Sequence, residues 1–282
     1  MNFDLSEEQA ALEQLSSQIF EGSSSFDRVE EIENTEEKFD ENLWKELANA
    51  NLLGIAIPED QGGLGFGLFE LCILLEQHGR SVAPIPLLPT LAMGALPVAE
   101  FGSSEQKARI LPNVISGECI LTGAYQEWGI NDPLQTSVTA ELVDDEWLLT
   151  GSKPAVPAAN NADFVITTAH TGEDNVSLFI IPLTSEGITI INSPTTNREL
   201  HAQLDLDQVG AELLGELGQG NHSITWILER VHTAIAAVAV GCCAKGTEMM
   251  AEYTSEREQF GRPLSHNQAV TQRAADCYIG TD

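Results

Sequence analysis

The chain has 282 residues, of which 43% are hydrophobic, and a formal net charge of −30 at pH 7. This length allows one large domain or two to three small ones, and the composition is sufficient for a packed core. The negative charge argues against binding to nucleic acid or to anionic membrane surfaces. Residues 1–60 alone contain 16 acidic and three basic side chains, which we interpret as solvated helix faces that favour solubility.

The five cysteines have no metal-binding spacing, and the adjacent pair Cys242 and Cys243 is expected to belong to a helix core. Residues 1–6 do not have the positively charged start of a signal peptide. We also expect no apolar stretch near the length of about 20 residues that spans a membrane. These features together predict a reduced, cytoplasmic protein.

Residues 1–118 have the apolar spacing of helices. Ser6 with Gln9 three positions later forms a capping box that predicts the first helix start. Thr35 is predicted to cap a second helix. Leucines within residues 68–75 predict a third helix, a fourth follows a proline-rich entry, and residues 102–107 predict the start of a fifth.

Residues 119–219 change to short segments of alternating polarity, bounded by Gly, Pro, Asp or Asn. The predicted strands are residues 137–143, 146–150, 163–169, 176–182, 187–191 and 200–206. Asp144-Asp145 is a candidate hairpin turn. This spacing predicts a small antiparallel β domain.

From residue 220 a helical pattern without proline continues to about Arg257. Gly241 lies in its middle and predicts close packing against another element, because glycine costs a helix about 1 kcal/mol relative to alanine. A second helix begins near residues 265–268, and the expected bundle is incomplete at Asp282. The sequence thus predicts an α+β protein with a helical domain (1–118), a β domain (119–219) and the start of a helical bundle (220–282).

The junction between these two helices contains a motif. The stretch Arg257-x-x-Phe260-Gly261-x-Pro263 is followed by Gln268. Taken alone, Gly then Pro ends one helix and opens another. With its full spacing the motif resembles the C-terminal-domain signature of flavin-dependent acyl-CoA dehydrogenases. The resemblance implies that Arg257, Phe260 and Gln268 reach across a subunit interface to the ADP half of the neighbour's FAD.

The resemblance covers essentially the whole chain, including the glycine-rich turn within residues 51–65 and the run at residues 102–118. It implies α,β-dehydrogenation of an acyl-CoA thioester, in which a carboxylate removes the α-proton and the flavin accepts a hydride from the β-carbon. FAD is the implied cofactor, and an electron-transfer flavoprotein is the kind of acceptor that the family uses.

The implied catalytic base has no counterpart in this chain. When Gly241 and Tyr253 are matched to the family's glycine and tyrosine, the base position falls on Val231 and the following arginine position on His232. Glu229 lies two residues away, about 200° around the helix, and therefore points elsewhere. We expect Glu229 to be an ordinary surface residue, His232 to be an interface or core residue, and no catalytic residue in the chain.

The implied flavin wall is also altered. The family turn Gly-x-Lys-x-Trp-Ile-Thr keeps only Gly151 and Lys153 here, since Trp is replaced by Ala155 and Thr by Pro157. A stacking surface and a hydroxyl are thereby lost.

Residues 123–133 share little with the family loop Thr-Glu-Pro-x-x-Gly-Ser-Asp that lines flavin and thioester. Tyr125 or Trp128 could serve as replacement aromatic walls, but core or surface packing is the favoured interpretation.

The half-site that serves a neighbour is thus kept, and the half-site for this chain's own flavin is degraded. A heteromer needs only one half-site of each kind, with each of its two chains supplying one. Residues 272–279 resemble non-base subunits of the heteromeric dehydrogenases of actinobacterial steroid side-chain breakdown. The sequence therefore predicts a subunit that completes the FAD site of a homologous partner in a heterotetramer. Two alternatives stay open: a homo-oligomeric dehydrogenase with its glutamate beyond residue 282, and a non-catalytic scaffold.

Overall fold

A computed structural model of the chain describes residues 4–130, 132–172 and 175–281. The expectations for the first three residues, for Asn131 of the altered loop and for Asp282 lie outside these described residues.

Helices form the amino-terminal part of the chain and enclose an apolar core that includes Trp44, Leu53 and Leu74. The helices are α1 (Glu7–Ser23), α2 (Phe26–Glu33), α3 (Glu41–Asn49), α4 (Leu68–Ser81), α5 (Leu96–Phe101) and α6 (Ser104–Ile115). Two single 3-10 turns, Leu52–Gly54 and Glu59–Gln61, follow α3, and a π-helical segment, Pro89–Ala95, leads into α5.

The first predicted helix start is confirmed, because Ser6 and Gln9 form the capping box of α1. Helix α2 was not predicted. Thr35 as the cap of the following helix is wrong, since its hydroxyl donates to the carbonyl of Ile32. Asp40 caps α3 instead, because its carboxylate accepts from two backbone N–H groups of the first turn.

In the described part of residues 119–219 the chain forms seven strands. They are β1 (Leu121–Ala124), β2 (Thr139–Val143), β3 (Glu146–Pro157), β4 (Phe164–His170), β5 (Val176–Pro182), β6 (Ile188–Pro194) and β7 (Leu200–Leu213). Their order is β1-β4-β2-β3-β7-β5, with β6 added on β7. Because β5 also pairs with β4, the strands between them close on themselves around a second core.

The predicted β domain is confirmed, and most of its strand pairs are antiparallel. The exceptions are two parallel pairings of β4, one with β1 and one with β2. Strand β1 was not predicted, because it is short and buried throughout. The predicted turn at Asp144-Asp145 is confirmed by φ values of 50° and 67°, the left-handed pair that a type I′ hairpin requires.

A buried ion pair fastens the loop before β2 to the sheet. The Lys153 ammonium, 1% exposed, donates to the Glu127 carboxylate and, at 3.1 Å, to the Thr136 hydroxyl. Ser137 donates to the other Glu127 oxygen at 2.6 Å. Burial alone would raise the pKa of Glu127, but the hydrogen bonds from Lys153, Ser137 and Thr136 outweigh it and lower that pKa. The carboxylate is therefore held ionised.

Helix α7 (Gly220–Glu256) has 37 residues and confirms the long predicted helix. It crosses α4 at two glycines. A Cβ on Gly241 would overlap the backbone oxygen of Glu76, and a Cβ on Gly79 would overlap that of Val238. The predicted close packing at Gly241 is therefore confirmed, and α4 is the element on which it packs.

The chain then turns through a hairpin, β8 (Glu258–Gln259) and β9 (Arg262–Pro263), and a 3-10 turn, Leu264–His266, into α8 (Gln268–Thr281). The expectation that Cys242 and Cys243 are core residues is wrong: both are exposed, because α4 packs on the neighbouring stripe of α7.

The expectation for membrane spans also needs correction. Within the described residues, α7 is long and apolar enough to cross a membrane by length and composition alone. Core helices of soluble proteins have the same composition, and residues Ile224, Ile227, Val231 and Ala234 of α7 lie in the core next to the amino-terminal helices.

The glycine crossing generates a first prediction. We expect Gly241→Ala to lower the free energy of unfolding by about 1–3 kcal/mol, because the added methyl group forces α7 away from α4. Gly246→Ala is the matched control on the same helix. A Cβ there meets no atom within 4 Å, so this change should stabilise the helix by up to about 1 kcal/mol. Urea unfolding measures both, and equal effects of the two substitutions would contradict the crossing.

The buried ion pair of Lys153 and Glu127 generates a second prediction. Lys153→Met alone leaves the Glu127 carboxylate buried without its partner and should cost about 3–5 kcal/mol. Combining it with Glu127→Leu should restore most of that loss, because no charge then remains inside. Lys45→Met, which breaks an exposed pair with Glu41, should cost less than about 1 kcal/mol. A Lys153→Met effect no larger than this control would show that the pair does not anchor the loop.

Candidate functional site

The three predicted cofactor residues lie together at one end of the α7–α8 pair. Arg257 is the residue that ends α7, Phe260 is at the tip of the β8–β9 hairpin, and Gln268 is the first residue of α8. All three are exposed, and Phe260 is 101% exposed. The structure therefore presents them outward, away from the rest of their own chain.

Local geometry fixes the hairpin that presents Phe260. Phe260 and Gly261 have φ values of 55° and 77°, the left-handed pair of a tight hairpin turn. The Leu264 N–H donates to the Arg257 carbonyl at 2.9 Å. Arg262 donates to the Asn267 side chain at 2.8 Å, which ties the hairpin to the start of α8. These bonds fix the backbone of the hairpin that carries the exposed ring.

The chemistry of this trio suits the ADP part of a dinucleotide. A guanidinium binds phosphate oxygens in pairs, and Arg257 forms no ion pair within the described part of the chain. An aromatic ring such as Phe260 stacks on a base, and the Gln268 amide both donates and accepts hydrogen bonds. In this half-site the residues fit the group that the resemblance implies.

The position of the catalytic base holds no proton acceptor. Val231 is 5% exposed and packs in the core of α7. Glu229 lies on the outside of the helix, with its carboxylate 3.8 Å from Arg230, as expected for a surface residue. His232 is exposed, which excludes the core alternative for this histidine; the interface alternative stays a prediction. Neither the Glu229 nor the His232 side chain is buried in the core beside Val231.

The altered flavin wall lies at an irregular part of β3, where Ala155 is exposed. Ala155 has a φ of 53° at a bulge in β3, where the pairing with β7 shifts between Lys153 and Val156. The Thr122 hydroxyl donates to the Pro157 carbonyl at 2.6 Å and is thereby occupied. Within this part of the sheet, neither Ala155 nor Pro157 supplies a ring or a hydroxyl.

Tyr125, from the altered loop, packs inward against β1 and the π-helical segment. Its ring lies so close to Gly123 that a Cβ on the glycine would overlap it, and its hydroxyl donates to the Met93 carbonyl at 2.8 Å. Burial raises the pKa of Tyr125, so the hydroxyl stays protonated. Trp128 is 67% exposed. Core packing for Tyr125 and surface placement for Trp128, the favoured interpretations, are therefore confirmed.

Sequence reasoning missed the partner of Lys153. The lysine was noted as a kept motif residue, but Glu127 lies 26 positions earlier in a loop that shares little with the family motif. The only local signal was a single acid between two aromatic residues, and no helical or strand periodicity links it to the lysine. The pairing becomes visible only when the sheet is closed.

The two halves differ in how they fit a flavin dinucleotide. The exposed trio offers a cation, a ring and an amide for the ADP part. The half at Ala155 and Pro157 lacks a stacking ring and a free hydroxyl for the isoalloxazine, and the Tyr125 hydroxyl is bonded within the chain to the Met93 carbonyl. No catalytic step can be assigned to residues of this second half.

Comparisons with known proteins agree with this architecture. Two family models match: the acyl-CoA dehydrogenase N-terminal domain over residues 6–118 and the acyl-CoA dehydrogenase C-terminal domain over residues 218–282. Acyl-CoA dehydrogenase FadE27 of Mycobacterium tuberculosis is 30% identical over 279 residues, which cover 99% of this chain and 73% of that protein.

Two solved structures are similar over nearly the whole chain. A variant of the Tcur3481–Tcur3483 steroid ACAD has a TM-score of 0.91 and 42% identity, covering 98% of this chain and 74% of that one. The ChsE4–ChsE5 complex from Mycobacterium tuberculosis has a TM-score of 0.92 and 29% identity, covering 100% of this chain and 76% of that one. The chain belongs to the acyl-CoA dehydrogenase family, whose members are FAD-dependent oxidoreductases that act on acyl-CoA.

Proposed function

We propose that this chain is the subunit of a heteromeric acyl-CoA dehydrogenase that completes the FAD site of a homologous partner, and that the partner carries the catalytic base. The observation on which this depends is the contrast between two half-sites of one chain. Arg257, Phe260 and Gln268 are exposed around a hydrogen-bonded hairpin, whereas Val231 occupies the base position.

The missing base excludes proton abstraction by this chain's own long helix. Removal of the α-proton of a thioester needs a carboxylate within hydrogen-bond reach of that proton. A valine side chain accepts no proton, and Glu229 lies on the outer face of α7 next to Arg230. Under this proposal the partner supplies the carboxylate that removes the α-proton.

The contribution of this chain is binding and orientation. When bound at the interface, FAD supplies hydride acceptance for the α,β-dehydrogenation. Arg257 neutralises phosphate charge, Phe260 stacks on the adenine and Gln268 hydrogen-bonds beside them. Because the hairpin is already ordered, little conformational entropy is lost when it meets the cofactor.

Two similar structures support a heteromer, since their names join two proteins, Tcur3481 with Tcur3483 and ChsE4 with ChsE5, and the first is called a steroid ACAD. By analogy we propose a heterotetramer in the cytoplasm, with a sterol-type acyl-CoA as the substrate and an electron-transfer flavoprotein as the acceptor. The division into domains at residues 118/119 and 219/220 is part of the same proposal.

A co-expression experiment tests the proposal. The chain is purified alone and again with an acyl-CoA dehydrogenase homologue encoded beside it, and the visible spectrum of each preparation is recorded. We expect flavin absorbance only in the complex, because the chain alone lacks the ring-binding wall. Flavin bound by the chain alone would favour a homo-oligomeric enzyme, and no flavin in either preparation would favour a scaffold.

The exposed trio gives a third prediction, for the complex. Arg257→Ala should weaken FAD binding about 10- to 100-fold, because a charge-assisted hydrogen bond to phosphate contributes about 1.5–3 kcal/mol. Phe260→Ala should weaken it through lost stacking, without breaking up the complex.

Lys45→Ala is the control for this prediction, since it removes the same charge from an exposed position on α3. Equilibrium dialysis against FAD measures all three variants. An Arg257→Ala complex that binds FAD as tightly as the Lys45→Ala complex would show that the arginine does not touch the cofactor.

A further inference from the structure

Helix α2 carries charges that oppose its own folding. Four of its eight residues are acidic and one is basic. Asp27 lies three residues before Glu30 and four before Glu31, so like charges meet on one side of the helix. The last turn holds three of the acids and no basic residue, at the end where the helix dipole is already negative. In dilute salt α2 is therefore destabilised by its own side chains.

Apolar packing gives α2 little compensation. Its two buried side chains are Val29 and Ile32, which are 7% and 6% exposed. Neither of them belongs to the two hydrophobic cores of the described residues, and Phe26 is 63% exposed. Isolated helices shorter than about 12–15 residues are marginal in water, because helix nucleation is costly. The order of α2 therefore depends on its polar contacts.

One cation fastens α2 to the other amino-terminal helices. The Arg28 guanidinium donates to both Asp40 oxygens, at 2.7 and 3.0 Å, and to Glu31 at 2.9 Å. Asp40 is 2% exposed and caps α3, so its carboxylate lies out of water. Salt screens such a partly buried pair much less than it screens exposed charges. Added salt therefore weakens the repulsion along α2 more than it weakens the Arg28 anchor.

The carboxy-terminal end of α2 ties the amino-terminal helices to the sheet. Glu33, the last residue of α2, accepts from Arg198 in the loop between β6 and β7 at 3.0 Å. The Glu37 carbonyl accepts from Asn160, in the loop between β3 and β4, at 3.4 Å. Both contacts depend on the position of α2 and of the turn that follows it. Loosening of α2 would therefore release two polar contacts between the helices and the sheet.

We propose that α2 is a salt-controlled element, which loosens and releases the β6–β7 loop in dilute salt and is ordered against that loop in concentrated salt. A diffuse layer of monovalent cations orders it, over residues 21–37, where seven acids and one base give a net −6. Salt also weakens the exposed Arg198–Glu33 pair, but relief of three like-charge pairs at spacings of three or four on α2 offsets that single loss. The chain is thereby suited to a solvent of high ionic strength.

Hydrogen–deuterium exchange of the whole chain measures the order of α2. Peptides covering Phe26–Glu33 of α2 and Ser104–Ile115 of α6 are followed by mass spectrometry in 0.1 M and in 1 M KCl, at which the screening length is about 10 Å and about 3 Å. Helix α6 has one acidic and two basic residues and is the matched control.

Exchange of α2 should be at least about tenfold slower in 1 M than in 0.1 M KCl, because several unfavourable charge interactions are relieved together. Exchange in the loop of residues 195–199 should slow with it, since Arg198 is tied to Glu33. Exchange of α6 should change by less than about threefold, because its charges are mixed in sign.

A single charge reversal on α2 separates local from overall charge. Glu30→Lys removes a like charge from α2 and puts a cation in its last turn, so α2 should exchange as slowly in 0.1 M KCl as it does in 1 M KCl. Glu141→Lys, at an exposed acid on β2, changes the net charge of the chain by the same amount. This matched control should leave the salt dependence of α2 in place.

Equal exchange of α2 at both salt concentrations would overturn the proposal. So would an equal response of α2 and α6, because the charge would then act on the whole fold. Loss of the salt dependence in the Glu141→Lys chain would also reject it, since net charge rather than charge on α2 would be the cause. None of these measurements involves flavin, so the proposed function and this inference succeed or fail separately.

Discussion

The crossing of α4 and α7 at Gly79 and Gly241 is the contact on which the placement of the site depends. Without side chains at these positions, the two backbones approach until each glycine lies against the other helix. Helix α7 is thereby fixed to the amino-terminal helices near its middle. Further along α7, Glu248 also pairs with Arg80 of α4 at 2.7 Å, and the hairpin with Phe260 lies beyond these contacts. A methyl group at the crossing would tilt the whole projecting half.

A second constraint acts on the β domain. Burying the Lys153–Glu127 pair removes two charges from water, and such a pair stabilises a fold only if its remaining donors and acceptors are used. Here Thr136 and Ser137 use them, and they belong to the loop that leads into β2. The pair therefore fixes the path of the altered loop. On that path Tyr125 folds inward toward Met93, where the ring and its hydroxyl are satisfied within the chain.

Much of the fold follows from the sequence, because periodicity is local. The long α7, the capping box at Ser6 and the Asp144-Asp145 turn each depend on residues a few positions apart. The elements that the sequence did not predict depend on contacts or choices that local periodicity does not reveal. Strand β1 has no alternation because it is buried on both sides, and Asp40 was overlooked as a cap because Thr35 is the same kind of residue five positions earlier.

In the candidate site, too, the residues that lie close together in sequence could be predicted, and the contacts between distant elements could not. The trio at Arg257, Phe260 and Gln268 lies within 12 residues and could be predicted as a motif. The Lys153–Glu127 pair, the ring of Tyr125 over Gly123 and the exposure of Cys242 depend on how distant elements meet. No short spacing encodes such contacts. Side chains could be assigned to a half-site from sequence, but whether that half-site is filled required the structure.

The exposed ring of Phe260 shows why the two half-sites should be considered together. A residue other than glycine in the left-handed region costs about 1–3 kcal/mol, and an apolar ring that is fully exposed gains no burial in return. Among the described residues no contact of the ring compensates this cost. The arrangement is understandable if a partner buries the ring, since the hairpin backbone is then already in place before binding. The chain thus gives up a flavin wall in one place and maintains a strained, exposed contact in another, and both features make sense in an assembly of unlike subunits.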